Sequence, residues 1–364
     1  MARRVAVALS GGVDSAVAVA LLKQRGFSVV GVHMTNWDER DHSGMTCCAQ
    51  EDLIWARKCA EHLGIELLHV DFVREYWNRV FHPMLQGFLK RNETPNPDIL
   101  CNREIKFKAF SDYVSVDLGI ESICTGHYAR LKPKEDGSVG LFRGIDVVKD
   151  QSYFLCQVPH QALKRYLFPI GDYRKEDVRE LARKLRIPSA NKKSSAGICF
   201  VGKSNKFATF LKEYAAEEFC RSGAIRDIDS DKVIGEHSGL WNFTIGQRVK
   251  LSGLNHPLYV VKKEIELNQI LVGRSNDPRL FSNSLRVRNL TWISGDAPST
   301  RNVQVKWRSR SELCDAEICS AALNAPQIEV KFARPGYGIA PGQVLAFYQG
   351  EECIGGGEVA ERID

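Results

Sequence analysis

The sequence predicts an α/β protein: a doubly wound parallel sheet of the Rossmann-like kind, followed by a small central domain and a C-terminal antiparallel β-barrel. Three observations carry this expectation. In the first 130 residues, unbroken apolar runs alternate with amphipathic segments that end in glycine, the pattern of parallel strands covered by helices on both faces. After about residue 282 the pattern changes to short strands between turn signals, which suits a small barrel or sandwich. The length, 364 residues, is too great for one ordinary core. The expected divisions are residues 1–205, 206–281 and 282–364.

Residues 5–9 read as the first strand. Residues 14–25 follow as a helix, with Val13, Ala16, Val17, Ala20 and Leu21 on one face and Gly26 as its stop. Residues 28–34 are the next buried strand, 50–63 a helix closed by Gly64, and 65–70 a strand. A helix over 104–118, closed by Gly119, leads to a strand over 121–125. Residues 131–205 suggest helices, 175–185 being the clearest, among irregular loops. Residues 206–281 form a module punctuated by Gly, Asn and Pro. Strands are expected at 285–293, 303–310, 328–332, 344–348 and 354–359.

Hydrophobic residues make up 44% and charged residues 26%, the balance of a soluble globular protein. No apolar run approaches 18 residues, so no membrane span is expected. Neither a signal-peptide layout nor a long Arg/Ser-rich transit segment is visible. Eleven cysteines without a repeating framework argue against a secreted disulfide scaffold and for a reducing compartment. Fifty Lys and Arg against 44 acidic residues, a net of +6, permit a polyanionic partner without requiring one.

Ser10-Gly11-Gly12-Val13-Asp14-Ser15 lies between a buried strand and a helix. Glycines let the backbone turn sharply and leave amides uncovered, and the helix N-terminus behind them carries partial positive charge. Together these make a phosphate nest. Ser10 and Ser15 can donate to phosphate oxygens. Asp14 would repel phosphate, so a helix cap or a magnesium ligand suits it better. The loop is neither a Walker A sequence nor Gly-x-Gly-x-x-Gly; it resembles the PP-loop of the ATP pyrophosphatase superfamily. Met34 and Gly126 follow other strands of the sheet, where a nucleotide would lie. Met34 could pack on adenine or simply in the core, and His127 beside Gly126 could be a contact or a satisfied surface histidine.

Thr94-Pro95-Asn96-Pro97-Asp98-Ile99-Leu100-Cys101-Asn102 is stiffened by two prolines. With Asn102 as N-cap of the next helix, Cys101 would sit at a helix N-terminus near Arg103 and Lys106, which favours its thiolate. Asp98 is close enough in sequence to act as general acid or base. A second candidate thiol, Cys199, lies among small residues and lysines. Alone it could as well be an inert buried cysteine. Cys101 and Cys199 could also ligate an iron–sulfur cluster.

The PP-loop, Pro-Asn-Pro-Asp-x-x-Cys-Asn, Thr-Gly-His-Tyr-Ala (125–129), Lys-Asp-Gln-Ser-Tyr-Phe-Leu (149–155), Gly-Ile-Cys-Phe (197–200), Thr-Ile-Gly-Gln-Arg (244–248) and Ala-Pro-Gly-Gln (340–343) occur in this order. That pattern resembles the tRNA-specific 2-thiouridylases over essentially the whole chain. Asn36-Trp37-Asp38 and Glu75-Tyr76-Trp77 look more like the mitochondrial branch than the bacterial one. The resemblance implies that ATP, accompanied by Mg²⁺, is held by Ala8, Leu9, Ser10, Gly11, Gly12, Val13, Asp14, Ser15, Met34 and Gly126. It implies a persulfide on Cys199, a nucleophilic Cys101 that frees the sulfur by forming a disulfide, and a catalytic carboxylate at Asp98. No protein-held metal is part of that pattern, and an iron–sulfur cluster is the less favoured alternative.

The tRNA contacts implied are Asn96, Pro97, Asp98, His127, Lys149, Asp150, Gln151, Arg308, Arg310 and Gln343. In the strand expected over 303–310, period two would put Lys306, Arg308 and Arg310 on one face, a row suited to a phosphate backbone. An aromatic expected between the basic residues is missing. The implied reaction adenylates the C2 oxygen of a wobble uridine and replaces it with sulfur, after the base is flipped out. The expected partners are tRNA and a sulfur-relay or cysteine desulfurase protein, with the chain a monomer in mitochondria, or in the cytoplasm if bacterial. The rival readings are another PP-loop synthetase and a non-catalytic RNA-binding protein.

Overall fold

The computed structural model describes residues 3–37, 48–135, 137–193, 207–253, 256–320 and 322–363. Cys199 and its Gly-Ile-Cys-Phe motif lie outside the described residues.

The N-terminal sheet grows from β1 (Arg4–Ala8), followed by helix α1 (Val13–Gln24), β2 (Ser28–Thr35), helix α2 (Cys48–Leu63), β3 (Glu66–Asp71) and β4 (Ser122–Cys124). After the hairpin β5 (Ala129–Pro133) and β6 (Val139–Arg143), β7 (Tyr166–Leu167) completes it. Its order is β3-β2-β1-β4-β7 with all neighbours parallel. Both faces are covered, which is why the strands do not alternate in polarity. Val5, Val7 and Leu9 pack with Val13, Ala16, Val17 and Ala20 of the α1 side. Ala6, Ala8, Val30 and Val32 pack on the opposite face with Phe81, Ile105 and Phe110. Burying one such aliphatic side chain contributes about 1.5–3 kcal/mol. α1 ends where Gly26 takes φ +81°, with the Phe27 amide bonded back to Leu22 at 3.1 Å. Chain order reverses at β1, so the carboxyl ends of β1 and β4 flank the crevice where such sheets bind ligands.

Two expectations for this part are corrected. The helix carrying the first cysteine motif begins at Pro97, not after Asn102. Asn96 is its N-cap, accepting from the amides of Asp98 and Ile99, and the helix runs on through Asn102–Ala109 to Val116. Pro97 at the first helical position needs no hydrogen bond there, so the earlier start is favourable. The β5–β6 hairpin spans residues 129–143, most of it within the 131–205 stretch expected to hold helices and loops. β6 pairs with a barrel strand, so the sheet hydrogen bonds of this segment are satisfied by chain more than 200 residues away, which no local pattern reveals.

The central region holds β8 (Gly223–Asp227), β9 (Val233–His237), β10 (Arg248–Val249), β11 (Leu258–Glu264) and β12 (Gln269–Gly273) around Ile225, Val260, Ile270 and Val272. The C-terminal region holds β13 (Phe281–Trp292), β14 (Asn302–Lys306), β15 (Cys314–Ile318), β16 (Gln327–Tyr337), β17 (Val344–Gln349) and β18 (Glu352–Arg362). All six are antiparallel to their neighbours, and β13 pairs with both β16 and β18, closing a six-stranded barrel over Val287, Val305, Val330, Leu345, Phe347 and Val359. The strand expected over 303–310 stops at Lys306. Beyond it the chain turns, and the Ser311 amide bonds the Arg308 carbonyl. The row of three cations on one strand face therefore does not exist. Lys306 is buried beside the Tyr348 ring, while Arg308 and Arg310 are exposed in the turn.

Candidate active site

The glycine-rich loop leaves β1 at the chain reversal of the sheet. Gly11 takes φ +76°, and a Cβ there would lie 2.2 Å from the Asp52 carbonyl, so only glycine fits between the loop and α2. Ser15 ties the loop together: its hydroxyl accepts from the Ser10 amide at 3.2 Å and donates to the Gly12 carbonyl at 3.1 Å. No side chain caps α1, which leaves its first-turn amides available to an anion. A Cβ on Gly12 would meet nothing closer than Ser10 Oγ at 3.4 Å, so the loop is open above it. From β4, Gly126 closes the other wall; a Cβ there would fall 2.9 Å from the Ser15 amide nitrogen. Ala8 and Leu9 are buried beneath, and half-buried Met34 packs against the core at the end of β2. This cradle of amides and small residues fits a nucleotide's phosphates.

Asp14 neither caps the helix nor stands ready for a metal. Both its oxygens lie 2.6 Å from Lys175 Nζ, and the Tyr128 hydroxyl donates to one of them at 2.7 Å. The carboxylate that would repel phosphate is thus neutralised. On the far side of the loop Lys192 pairs with Asp52 at 2.5 Å. The sequence assigned no role at the loop to Lys175, Tyr128, Lys192 or Asp52, since each lies far along the chain from the partner that gives it meaning. Among the described residues no group of three His, Cys, Asp or Glu side chains could hold a metal ion. The Asp14–Lys175 pair offers no ready Mg²⁺ ligand.

A second cleft, of about 310 Å³, opens between the N-terminal region and the barrel. Thr94, Asn96, Pro97 and Asp98 of the N-terminal region line it together with Tyr153, Phe154, Trp307, Arg308, Ser309 and Gln343. The structure therefore brings together Asn96, Pro97, Asp98, Arg308 and Gln343, which are separated by up to 247 positions in sequence. Asp98 faces this cleft on the first turn of its helix, its carboxyl pKa raised by desolvation against a smaller opposing pull from Lys106. Arg308 is held in place by a 2.8 Å bond to the Gly338 carbonyl. Trp307 and Phe154 supply the aromatic surface that the sequence around Arg308 and Arg310 lacked; Trp307 itself stacks on Phe332. Cys101 is buried one turn beyond Asp98. Helix Pro97–Cys101 places it past the end of the dipole-rich first turn, not at the N-terminus. A larger hollow of about 610 Å³ on the barrel, lined by Asn302, Asp315, Glu317 and Lys331, includes none of these residues.

Five residues expected to contact RNA do not line this cleft. His127 is buried between Phe107 and Phe168, with Nδ1 bonded to Thr125 at 2.7 Å; burial holds its pKa well below the usual imidazole value. Asp150 is buried, and its carboxylate accepts from the Gly144 amide, the Ser152 amide and the Ser152 hydroxyl beside Arg143. It braces the loop. Arg310 lies outside the cleft lining. Lys149 is exposed, and Gln151 is bonded through both amide and side chain to the Tyr128 backbone.

Comparison with known proteins bears on the whole chain. A family model described as a tRNA methyl transferase HUP domain matches residues 3–203, a tRNA methyl transferase PRC-barrel domain matches 208–274, and an aminomethyltransferase beta-barrel domain matches 282–359. A tRNA-specific 2-thiouridylase, MnmA 1, of Geobacillus kaustophilus is 44% identical over 99% of this chain and 96% of its own. The chain belongs to the MnmA tRNA 2-thiouridylase family. The tRNA-specific 2-thiouridylases MnmA of Proteus mirabilis and of Escherichia coli O1:K1 / APEC are each 42% identical, over 99% and 100% of this chain and 98% of their own.

These MnmA relatives are bacterial and lend no support to a mitochondrial branch. Of the details that suggested one, Asp38 lies outside the described residues, and Trp37 stacks on Trp77 at 5.7 Å and meets Tyr76 edge-on at 6.2 Å.

Proposed function

We propose that this chain is an ATP-dependent tRNA sulfurtransferase that converts a wobble uridine to 2-thiouridine. The observation that carries the reading is the full-length kinship with tRNA-specific 2-thiouridylases, joined to a cleft that sets Asp98 opposite Arg308 and Gln343. Enzymes of this family use ATP, and the Ser10–Ser15 loop suits its phosphates by the geometry above.

The cleft beside Phe154 and Trp307 has room and aromatic surface for one base extruded from the RNA. The uracil C2 oxygen attacks the α-phosphorus of ATP, releasing pyrophosphate. Adenylation turns a poor leaving group into AMP. Asp98, with its raised pKa, holds or accepts a proton at the base. The Cys199 persulfide carries the sulfur from a donor protein. Attack by the Cys101 thiolate on the inner sulfur of that persulfide forms the Cys101–Cys199 disulfide and frees sulfide, which adds at C2 and displaces AMP. Two external thiols, oxidised together to a disulfide, then supply the two electrons and two protons that restore both cysteines. Arg308, Lys149 and Gln343 contact the RNA, the first two through phosphates. Kinship with bacterial enzymes favours the cytoplasm as the compartment.

The test is mass spectrometry of tRNA incubated with the enzyme, ATP, Mg²⁺ and a persulfide donor. The expected result is an oxygen-to-sulfur mass gain on uridine with one AMP and one pyrophosphate per event, lost in Cys199→Ala and in Cys101→Ser. Pyrophosphate release with no mass gain in RNA would point to another PP-loop synthetase.

A further inference from the structure

Thr244-Ile245-Gly246-Gln247-Arg248 belongs to the central region and has no part in the chemistry described so far. Its turn lies where the three parts of the chain meet. Thr244 Oγ1 is 3.1 Å from Thr94 Oγ1. The Thr94 amide donates to the Pro341 carbonyl of the barrel at 2.7 Å. The residue before Pro95 is therefore held from both sides. Gln247 keeps the turn in shape: its side-chain oxygen accepts from the Thr244 amide at 2.9 Å, and its own amide donates to the Thr244 carbonyl at 3.0 Å. Gly246 takes φ +81°, and a Cβ there would lie 2.8 Å from the Gly338 Cα, so this turn rests directly on the barrel. Gly338 is also the residue whose carbonyl anchors Arg308.

One turn thus touches the supports of both walls of the cleft. From Thr94 the chain runs through Pro95, Asn96 and Pro97 to Asp98, and the two prolines leave few torsions to absorb a displacement. The geometry points to Thr244 as a positioning residue for the uridine reaction: its hydroxyl fixes Thr94, and through that stiff segment the Asp98 carboxyl relative to Arg308. This rests on the thiolation reading for its kinetic consequence, though the restraint itself does not. Reactions that depend on near-attack geometry lose rate steeply with small misplacements.

The full-length enzyme and its Thr244→Val and Thr244→Ser variants test this by amide hydrogen exchange over residues 94–102 and by steady-state thiolation of tRNA. Thr244→Val, nearly isosteric, is expected to raise exchange in that segment about fivefold, as loss of one neutral hydrogen bond gives. It should lower kcat by a similar factor, with KM for ATP and the melting temperature unchanged, and Thr244→Ser should restore both. Wild-type exchange and kcat in Thr244→Val would overturn the assignment. So would a loss spread over the whole protein with a lowered melting temperature and no recovery in Thr244→Ser. If the segment loosens as expected but wild type forms no 2-thiouridine, the thiolation reading fails and the restraint stands.

Discussion

Lys175 Nζ lies 2.6 Å from both carboxylate oxygens of Asp14, although 161 positions separate the two residues. The pair solves an electrostatic problem set by the loop itself, which places a carboxylate in the first turn of a helix whose amides suit phosphate. Replacing Lys175 by Met leaves that carboxylate uncompensated beside the phosphate site. The dissociation constant for ATP, measured by titration calorimetry, is expected to rise at least about tenfold, or about 1.4 kcal/mol. An unchanged constant would remove Lys175 from the nucleotide site.

Gly126 stands against the Ser15 backbone with no room for a side chain, its virtual Cβ being 2.9 Å from the Ser15 nitrogen. Backbone cannot move aside as a flexible side chain can. Gly126→Ala should therefore displace the loop, at a cost of about 1–3 kcal/mol in stability, and weaken ATP binding. Urea unfolding and nucleotide titration on the same preparation check both. Full ATP affinity in this variant would contradict the close approach.

Asp150 braces its own loop. Its buried carboxylate satisfies two backbone amides and the Ser152 hydroxyl, which in turn lies 3.1 Å from the Tyr348 hydroxyl of the barrel. Asp150→Ala strands these donors beside the half-buried Arg143 and should cost about 3–5 kcal/mol. The loss will appear in the urea midpoint. A variant with wild-type stability but weakened RNA binding would restore the direct-contact expectation.

His33 and His127 are both buried, and desolvation lowers their pKa below the ordinary 6.5. The unfolded chain then takes up protons before the folded one as pH falls. Their contribution to stability is complete above pH 6.5 and is lost as pH falls through the window below it. Each histidine can add a slope of up to about 1.4 kcal/mol per pH unit. Unfolding measured at pH 7.5, 6.5 and 5.5 should show the decline, and His127→Gln should flatten it.

The chemistry-bearing motifs were legible because each is local. Ser10 to Ser15 carries its meaning in adjacent glycines and the helix that follows, and Pro95 to Cys101 in its prolines. The buried parallel strands were legible for the same reason, as continuous apolar runs. What failed was reasoning that needed a distant partner. The expected strand over 303–310 carried alternating charges, yet Lys306 is buried and the chain turns after it. The β5–β6 hairpin is stabilised by Cys353 and Glu352 of β18, beyond the reach of any window.

By itself the sequence determined a glycine-rich loop between strand and helix of a parallel sheet, a stiff segment bearing Asp98 and Cys101, and a C-terminal run of short strands. Local propensity, turn chemistry and hydrophobic period suffice for those. Only the tertiary structure decided that Lys175 neutralises Asp14, that His127 and Asp150 are interior, and that Asp98, Arg308 and Gln343 line one cleft. Ion pairing, desolvation and cleft shape depend on which surfaces meet, and that is settled only when the sheet, the central region and the barrel pack around Thr94.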